Sequence, residues 1–192
     1  MHRVKCMMQP SVDVAGDVRF CFATLGRGLA AVVFSMVLLS GALPPLQQTV
    51  IGLVVYFLVD ALLVVYAAKR ARVSRGAPGL LAAVSGIDVV AAIASAVVPT
   101  AAALRVVAGL RAIVGGVCDA IWSRHHGTSD MLTLNGVAAV ALGAVLLLAW
   151  PGSGELALPW LVGLQLMVSG ALLTGGALSE LRRVVSVAPQ PA

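Results

Sequence analysis

The chain has 192 residues, 60% of them hydrophobic and 11% charged, with a formal net charge of +5. Ordinary globular domains run at about 45–50% apolar and about 25% charged residues. A mean hydropathy of +1.01 excludes a soluble enzyme, a disordered tail and a DNA-binding domain, although the pI near 9.7 alone would admit the last.

A bilayer core about 30 Å thick is crossed by about 20 apolar helical residues. Six stretches meet that length: 25–43, 46–68, 79–98, 100–122, 131–150 and 157–178. Residues 1–24 and 179–192 remain as tails, leaving no room for a separate soluble domain. The first tail does not read as a signal peptide, because Asp13, Asp17 and Arg19 break any apolar run ahead of a cleavage site. Pro44-Pro45, Pro99 and Pro151 mark the ends of the odd-numbered spans, since proline lacks an N–H and pushes its predecessor out of the helical region. The odd-to-even joints are short and the even-to-odd joints are longer and charged. The predicted fold is therefore all-α: a polytopic membrane protein with six transmembrane helices arranged as three repeated helical hairpins.

Charge sets the expected orientation. Arg3, Lys5, Arg19 and Arg27, then Lys69, Arg70, Arg72 and Arg75, then Arg124, then Arg182 and Arg183 place eleven of the 13 basic residues on one side. The proline joints carry none. The positive-inside rule then puts both termini in the cytoplasm, with the basic residues facing anionic lipid heads rather than nucleic acid. Trp122, Trp150 and Trp160 fall at span ends, as an interfacial aromatic belt would place them. Cys6, Cys21 and Cys118 are scattered and form no Cys-x-x-Cys pattern, so neither a disulfide framework nor a thiolate metal site is expected.

The hairpins share a spacing. The proline markers stand at 44, 99 and 151, and small residues follow at matched depth in Asp60-Ala61, Gly115-Gly116 and Ser169-Gly170. Six spans in this length, a proline-broken hairpin as in Val37-Leu38-Leu39-Ser40-Gly41-Ala42-Leu43-Pro44, and the small-residue stretches Gly109 to Gly116 and Ser169 to Gly176 resemble the HdeD-like acid-resistance membrane proteins. The resemblance covers residues 25 to 183. It implies a non-enzymatic protein of the bacterial inner membrane, linked in some members to acid stress. Asp60 departs from it, standing where a glycine-like residue is expected.

Ionisable groups inside lipid cost about 2.5–3.5 kcal/mol each on insertion scales. Four stand out within spans: Asp60, Asp88, Arg105 and Arg111. Asp88 lies eleven residues before Pro99 and Arg111 twelve after it. An antiparallel hairpin brings them to one depth, so an Asp88–Arg111 ion pair is expected, with Asp60 competing for Arg111. Arg105 is placed to snorkel to the outer interface, and Asp119 to reach water at the cytoplasmic end. Two readings follow: the charges fix helix register, or one acid titrates and couples protons to transport or sensing.

Ala108, Ala112, Gly116 and Ala120 on the fourth span, and Ala171, Gly175 and Ser179 on the sixth, recur at four-residue spacing. Such stripes bring helices together, either within one chain or at a homo-oligomer seam. His125-His126 beside Arg124 read as a loop pair with no third ligand at metal spacing. There is no His-Glu-x-x-His, no phosphate-binding loop and no Gly-x-Ser-x-Gly, and Gly26-Arg27-Gly28 is only a fragment of a glycine-rich pattern. No catalytic residue, metal or cofactor is expected. The candidate functions are a non-enzymatic acid-resistance protein, a small proton-linked transporter or channel using Asp60, Asp88 and Arg111, and an accessory subunit of a larger membrane complex.

Overall fold

A computed structural model of the chain describes residues 14–41, 45–70, 77–126, 130–148 and 154–187. These form six α-helices: α1 (Val14–Leu39), α2 (Pro45–Arg70), α3 (Ala77–Val97), α4 (Ala101–His126), α5 (Asp130–Leu148) and α6 (Gly154–Val187). Among the described residues, five helices are long and apolar enough to cross a membrane: Cys21–Leu39, Leu46–Ala68, Ala101–Arg124, Asp130–Leu148 and Ala157–Arg183. The third contributes a shorter apolar stretch, Ala82–Val97. The architecture is that of a multi-pass integral membrane protein. The largest departures from the expected boundaries are at α1, which begins at Val14, and α6, which runs on to Val187.

The helix ends have local causes. Helix α1 stops at Leu39, short of the proline expected to end it. Ser40 N–H donates to the Met36 carbonyl at 3.0 Å, and Gly41 then takes a φ of 65°, a left-handed conformation suited to a residue without Cβ. Gln48 Nε2 donates to the Val37 carbonyl, so the start of α2 caps the end of α1. Pro45 opens α2 at the position where a missing N–H costs nothing. Thr100 caps α4, accepting from Ala103 N–H through Oγ1 at 3.2 Å. Pro151 and Trp150 lie outside the described residues. Helix α4 continues through His126, so His125 and His126 occupy its last turn rather than a loop.

Each helix packs against its chain neighbours, and α6 closes the ring on α1. The even helices α2, α4 and α6 also touch one another, whereas among the described residues α1, α3 and α5 do not. An inner triangle of even helices therefore carries three outer helices in its grooves. The expected hairpins α1–α2, α3–α4 and α5–α6 are present, but they are not the closest pairs. The most extensive packing runs across the opposite joints, in α2–α3, α4–α5 and α6–α1.

The repeated small residues explain that choice. A Cβ added to Gly116 would meet the Gly136 carbonyl oxygen at 2.5 Å, and one on Gly136 would meet that of Gly116 at 2.5 Å. Gly109 and Gly143 oppose each other one register step further along the same pair, which fixes α4 and α5 as antiparallel. In α6–α1 the equivalent contact is Gly170 against Gly28, where added Cβ atoms would meet the opposing carbonyls at 2.7 and 2.9 Å. In α2–α3 it is Ala61, whose carbonyl accepts from Ser85 Oγ at 3.4 Å. Ala61, Gly116 and Gly170 thus hold one repeated position. The α2–α3 copy carries side chains on both sides and packs less extensively than the other two.

The two predicted stripes fare differently. Ala108, Ala112, Gly116 and Ala120 face inward: Ala108 and Ala112 are buried, and Ala112 and Ala120 lie against Gly143 and Gly136 of α5. On α6 the stripe is displaced by one residue. Ala171 and Gly175 are exposed, Gly175 has nothing within 4 Å of an added Cβ, and Ser179 Oγ bonds back to its own Gly176 carbonyl at 2.8 Å. The packing face of α6 is instead Gly163, Gly170 and Ala177.

This packing sets a contrast. Gly136→Ala is expected to lower the thermal stability of the detergent-solubilised protein, by about 1–3 kcal/mol for overpacking. Gly175→Ala is expected to leave the melting temperature unchanged or slightly raised, since it swaps a poor helix former for a good one in open space.

Candidate functional site

Halfway along the bundle, four helices turn charged side chains toward one point. Arg27 on α1 lies on the face that packs against α2, and its Nε donates to Asp60 Oδ1 at 2.6 Å. Its second contact, Nη2 to Asp60 Oδ2 at 3.2 Å, makes the pair bidentate, the geometry in which a guanidinium binds a carboxylate most firmly. Arg111 on α4 donates through Nη2 to Asp60 Oδ2 and through Nε to Asp88 Oδ1 at 2.6 Å. Asp60 is therefore the centre: 1% exposed, it takes charged donors from two helices. Asp88 is fully buried, and its Oδ2 has no hydrogen-bond partner among the described residues.

Asp119 extends the cluster. Its Oδ1 stands 4.0 Å from Arg27 Nη1, and its Oδ2 accepts from Asn135 Nδ2 of α5 at 3.0 Å. Phe57 forms an apolar wall, with the Arg111 guanidinium carbon 5.9 Å from its ring centroid, inside the range of a cation–π contact. Tyr56 packs edge-on against Phe34 with ring centroids 6.0 Å apart. Among the described residues no three of His, Cys, Asp and Glu are grouped so as to hold a metal ion.

The structure brings together the residues that the sequence placed at one depth. Asp88 meets Arg111, and Asp60 shares the same guanidinium rather than displacing Asp88. Three expectations are corrected. Asp119 does not extend into water: only 16% of its side chain is exposed, because it turns toward α1 and α5. Arg105 does not snorkel. It is buried on the α4 face that also buries Leu104 and Ala108, inside protein rather than at its edge. Trp122 is buried at 6% exposure in the cluster formed with Val64, Val84, Leu132 and Leu173, so of the two described tryptophans Trp160, 64% exposed, keeps the position of a belt residue.

Two participants went unrecognised. Arg27 was counted among the topology markers, yet its side chain is only 12% exposed and is central to the cluster. The signal was available, since Phe20-Cys21-Phe22-Ala23-Thr24-Leu25 ahead of it is nearly all apolar and extends the first span toward the N-terminus. Asn135 was a lone amide in an apolar helix, which in lipid calls for a partner.

Two small cavities adjoin the cluster, each about 30 Å³, above the roughly 10–15 Å³ that one water needs. The inner one is lined by Arg27, Arg111, Asp119, Asn135, Tyr56 and Gln165, among others. The outer one shares Arg27 and Asp119 and continues past Thr24, Ala67, Cys118 and Trp122.

Removing one member of a buried charge pair leaves the other uncompensated, at about 3–5 kcal/mol. Arg111→Gln strips a donor from two carboxylates and is expected to reduce folded protein in the membrane sharply. Asp60→Asn, which weakens bonds to two arginines, is expected to cost more stability than Asp88→Asn, which weakens one. Thermal melts and membrane abundance of the three variants check the order. Compared with protein-family models, curated proteins and solved structures, the chain matches none.

Proposed function

We propose that the protein is a non-catalytic, proton-responsive integral membrane protein whose proton site is the cluster of Asp60, Asp88 and Asp119 with Arg27 and Arg111. One observation carries this reading: three carboxylates share a buried site with two guanidiniums, and Asp88 Oδ2 is enclosed without a hydrogen-bond partner among the described residues. With every group ionised the site holds one net negative charge in a largely buried setting. One proton makes it neutral and turns an orphaned acceptor into a donor. A purely structural network would more simply match its charges.

The groups facing the site set its proton balance. Helix α1 contributes Arg27, α2 Asp60 and Tyr56, α3 Asp88, and α4 Arg111, Asp119 and Cys118. Helices α5 and α6 contribute the neutral Asn135, Gln165 and Ser169. The resemblance to HdeD-like acid-resistance proteins supports a setting in acid stress at a bacterial inner membrane, and the one-sided basic residues support both termini on the cytoplasmic side. A second reading is a small proton-linked transporter or channel along Asp60, Asp88 and Arg111. The cavities beside the cluster favour it. A role as accessory subunit or homo-oligomer has less behind it, since the exposed Ala171 and Gly175 are its only support.

The test is proton uptake by the purified protein on acidification, followed through the carboxyl bands of its infrared spectrum. The expected result is uptake of about one proton per chain at the cluster, as linkage requires of a group that changes charge, with the band lost or moved in Asp88→Asn. Identical titrations in the parent protein and in Asp60→Asn, Asp88→Asn and Asp119→Asn would count against the proposal. A liposome flux assay under a pH gradient separates the readings: net proton movement favours transport, and titration without flux favours sensing.

A further inference from the structure

We infer that protons reach this cluster from one end of the bundle only, the end at which α1 begins and α6 ends. The inference rests on the proton-site reading above and adds a direction to it. The two cavities supply the route. Apart from Arg27 and Asp119 themselves, the residues of the outer cavity lie on one side of the central charges along their helices: Ala23 and Thr24 before Arg27, Val64 and Ala67 after Asp60, Val84 before Asp88, Cys118 and Trp122 after Arg111, and Leu132 before Asn135. Because neighbouring helices alternate in direction, all of these positions fall toward the end where α1 starts. The outer cavity meets the inner one at Arg27 and Asp119, which line both.

The inner cavity is suited to water. Asn135 lines it, is 2% exposed, and has an Oδ1 with no hydrogen-bond partner among the described residues. A buried amide oxygen facing a water-sized space is where an ordered water is expected. Such a water would stand among Asp119, Arg27 and Arg111, one step from the outer cavity and one from Asp60. Asp119 is then the entry carboxylate, and Asp60 with Asp88 the inner acceptors.

The opposite side is packed mainly by hydrocarbon, with the hydroxyls of Ser35 and Ser95 buried within it. Leu53, Phe57, Leu104, Leu146, Leu158 and Val162 are each 2% exposed or less and form one packed core. Each lies on the far side of the cluster along its helix. Leu53, Phe57 and Val162 also wall the inner cavity, so the polar space ends against this core. Arg105, Gln48 and Thr49 lie beyond it and have contacts of their own. An apolar core several side chains deep separates the cluster from that end, and a charge crosses such a layer only at high cost.

The test uses the full chain reconstituted in one orientation in vesicles, with the pH stepped on one side at a time. The carboxyl infrared band lost in Asp88→Asn is the readout. The expected result is a prompt response to the side holding the α1 start and an order of magnitude slower response to the other. Equal responses from both sides, or a faster one from the other side, overturn the inference and leave the proton-site reading standing. No response from either side overturns that reading. A second measurement is independent of titration: silver ion, a small thiol-reactive cation, is applied to either face of a Cys6→Ser, Cys21→Ser protein. Cys118 is expected to react from the α1-start side only, and a cysteine introduced by Leu104→Cys from neither. Reaction of Cys118 only from the opposite side, equally from both, or from neither overturns the route. Ala67→Phe, which fills the outer cavity, is expected to slow both readouts, and unchanged rates would count against it.

Discussion

The structure depends on Asp60. This one carboxylate binds Arg27 of α1 and Arg111 of α4, and through Arg111 it is tied to Asp88 of α3. Four of six helices therefore meet at a charge that none could bury alone. Each ionised group costs a few kcal/mol to insert singly, and the cost falls only when the helices arrive at matching depth and rotation. Burying charges adds little net stability over an apolar core. What it adds is selectivity, because a helix that slides or rotates leaves a charge in hydrocarbon.

The apolar packing is organised around that point without containing it. Lipid gives helices no hydrophobic reason to prefer one another, so close backbone approach decides which pairs form. Gly28–Gly170 and Gly116–Gly136 create two such approaches. The third copy has Ala61 and Ser85 and places the Asp60 carboxylate beside them. The repeat thus holds at the level of helix pairing, with the charge cluster inserted at the copy that deviates. The two glycine pairs clamp α1 to α6 and α4 to α5, and the charge cluster binds α1 and α4 to α2 and α3.

Much of this was legible in the sequence. Hydropathy alone located the six helices, because a span in lipid must satisfy its own backbone. Counting residues from Pro99 brought Asp88 and Arg111 together, since a short antiparallel hairpin converts sequence distance into depth. Rotation about the helix axis was not legible. On α6, Gly170 and Ala177 face α1 while the neighbouring Ala171 and Gly175 face outward. Their spacings differ little, and only the partner helix determines which stripe is used. Asp119 and Trp122 were misjudged for the same reason: position along a helix suggested water or interface, but their directions point inward. Arg27 was missed because eleven basic residues formed a persuasive topological pattern, and one member of it lay a few residues deeper than the rest.

The closure of the ring between the first helix and the last bears on how the protein is made. Synthesis delivers Arg27 first, and its carboxylate partner follows 33 residues later with α2. Gly170, against which α1 makes its closest backbone contact, arrives only with the final helix. The nascent chain must therefore carry an arginine through the insertion machinery before Asp60 exists, and must keep α1 available until α6 is complete. Truncated chains that lack α6 lose the most extensive seam of the bundle while retaining every member of the charge cluster. Synthesis thus assembles the ionic centre before the shell that encloses it.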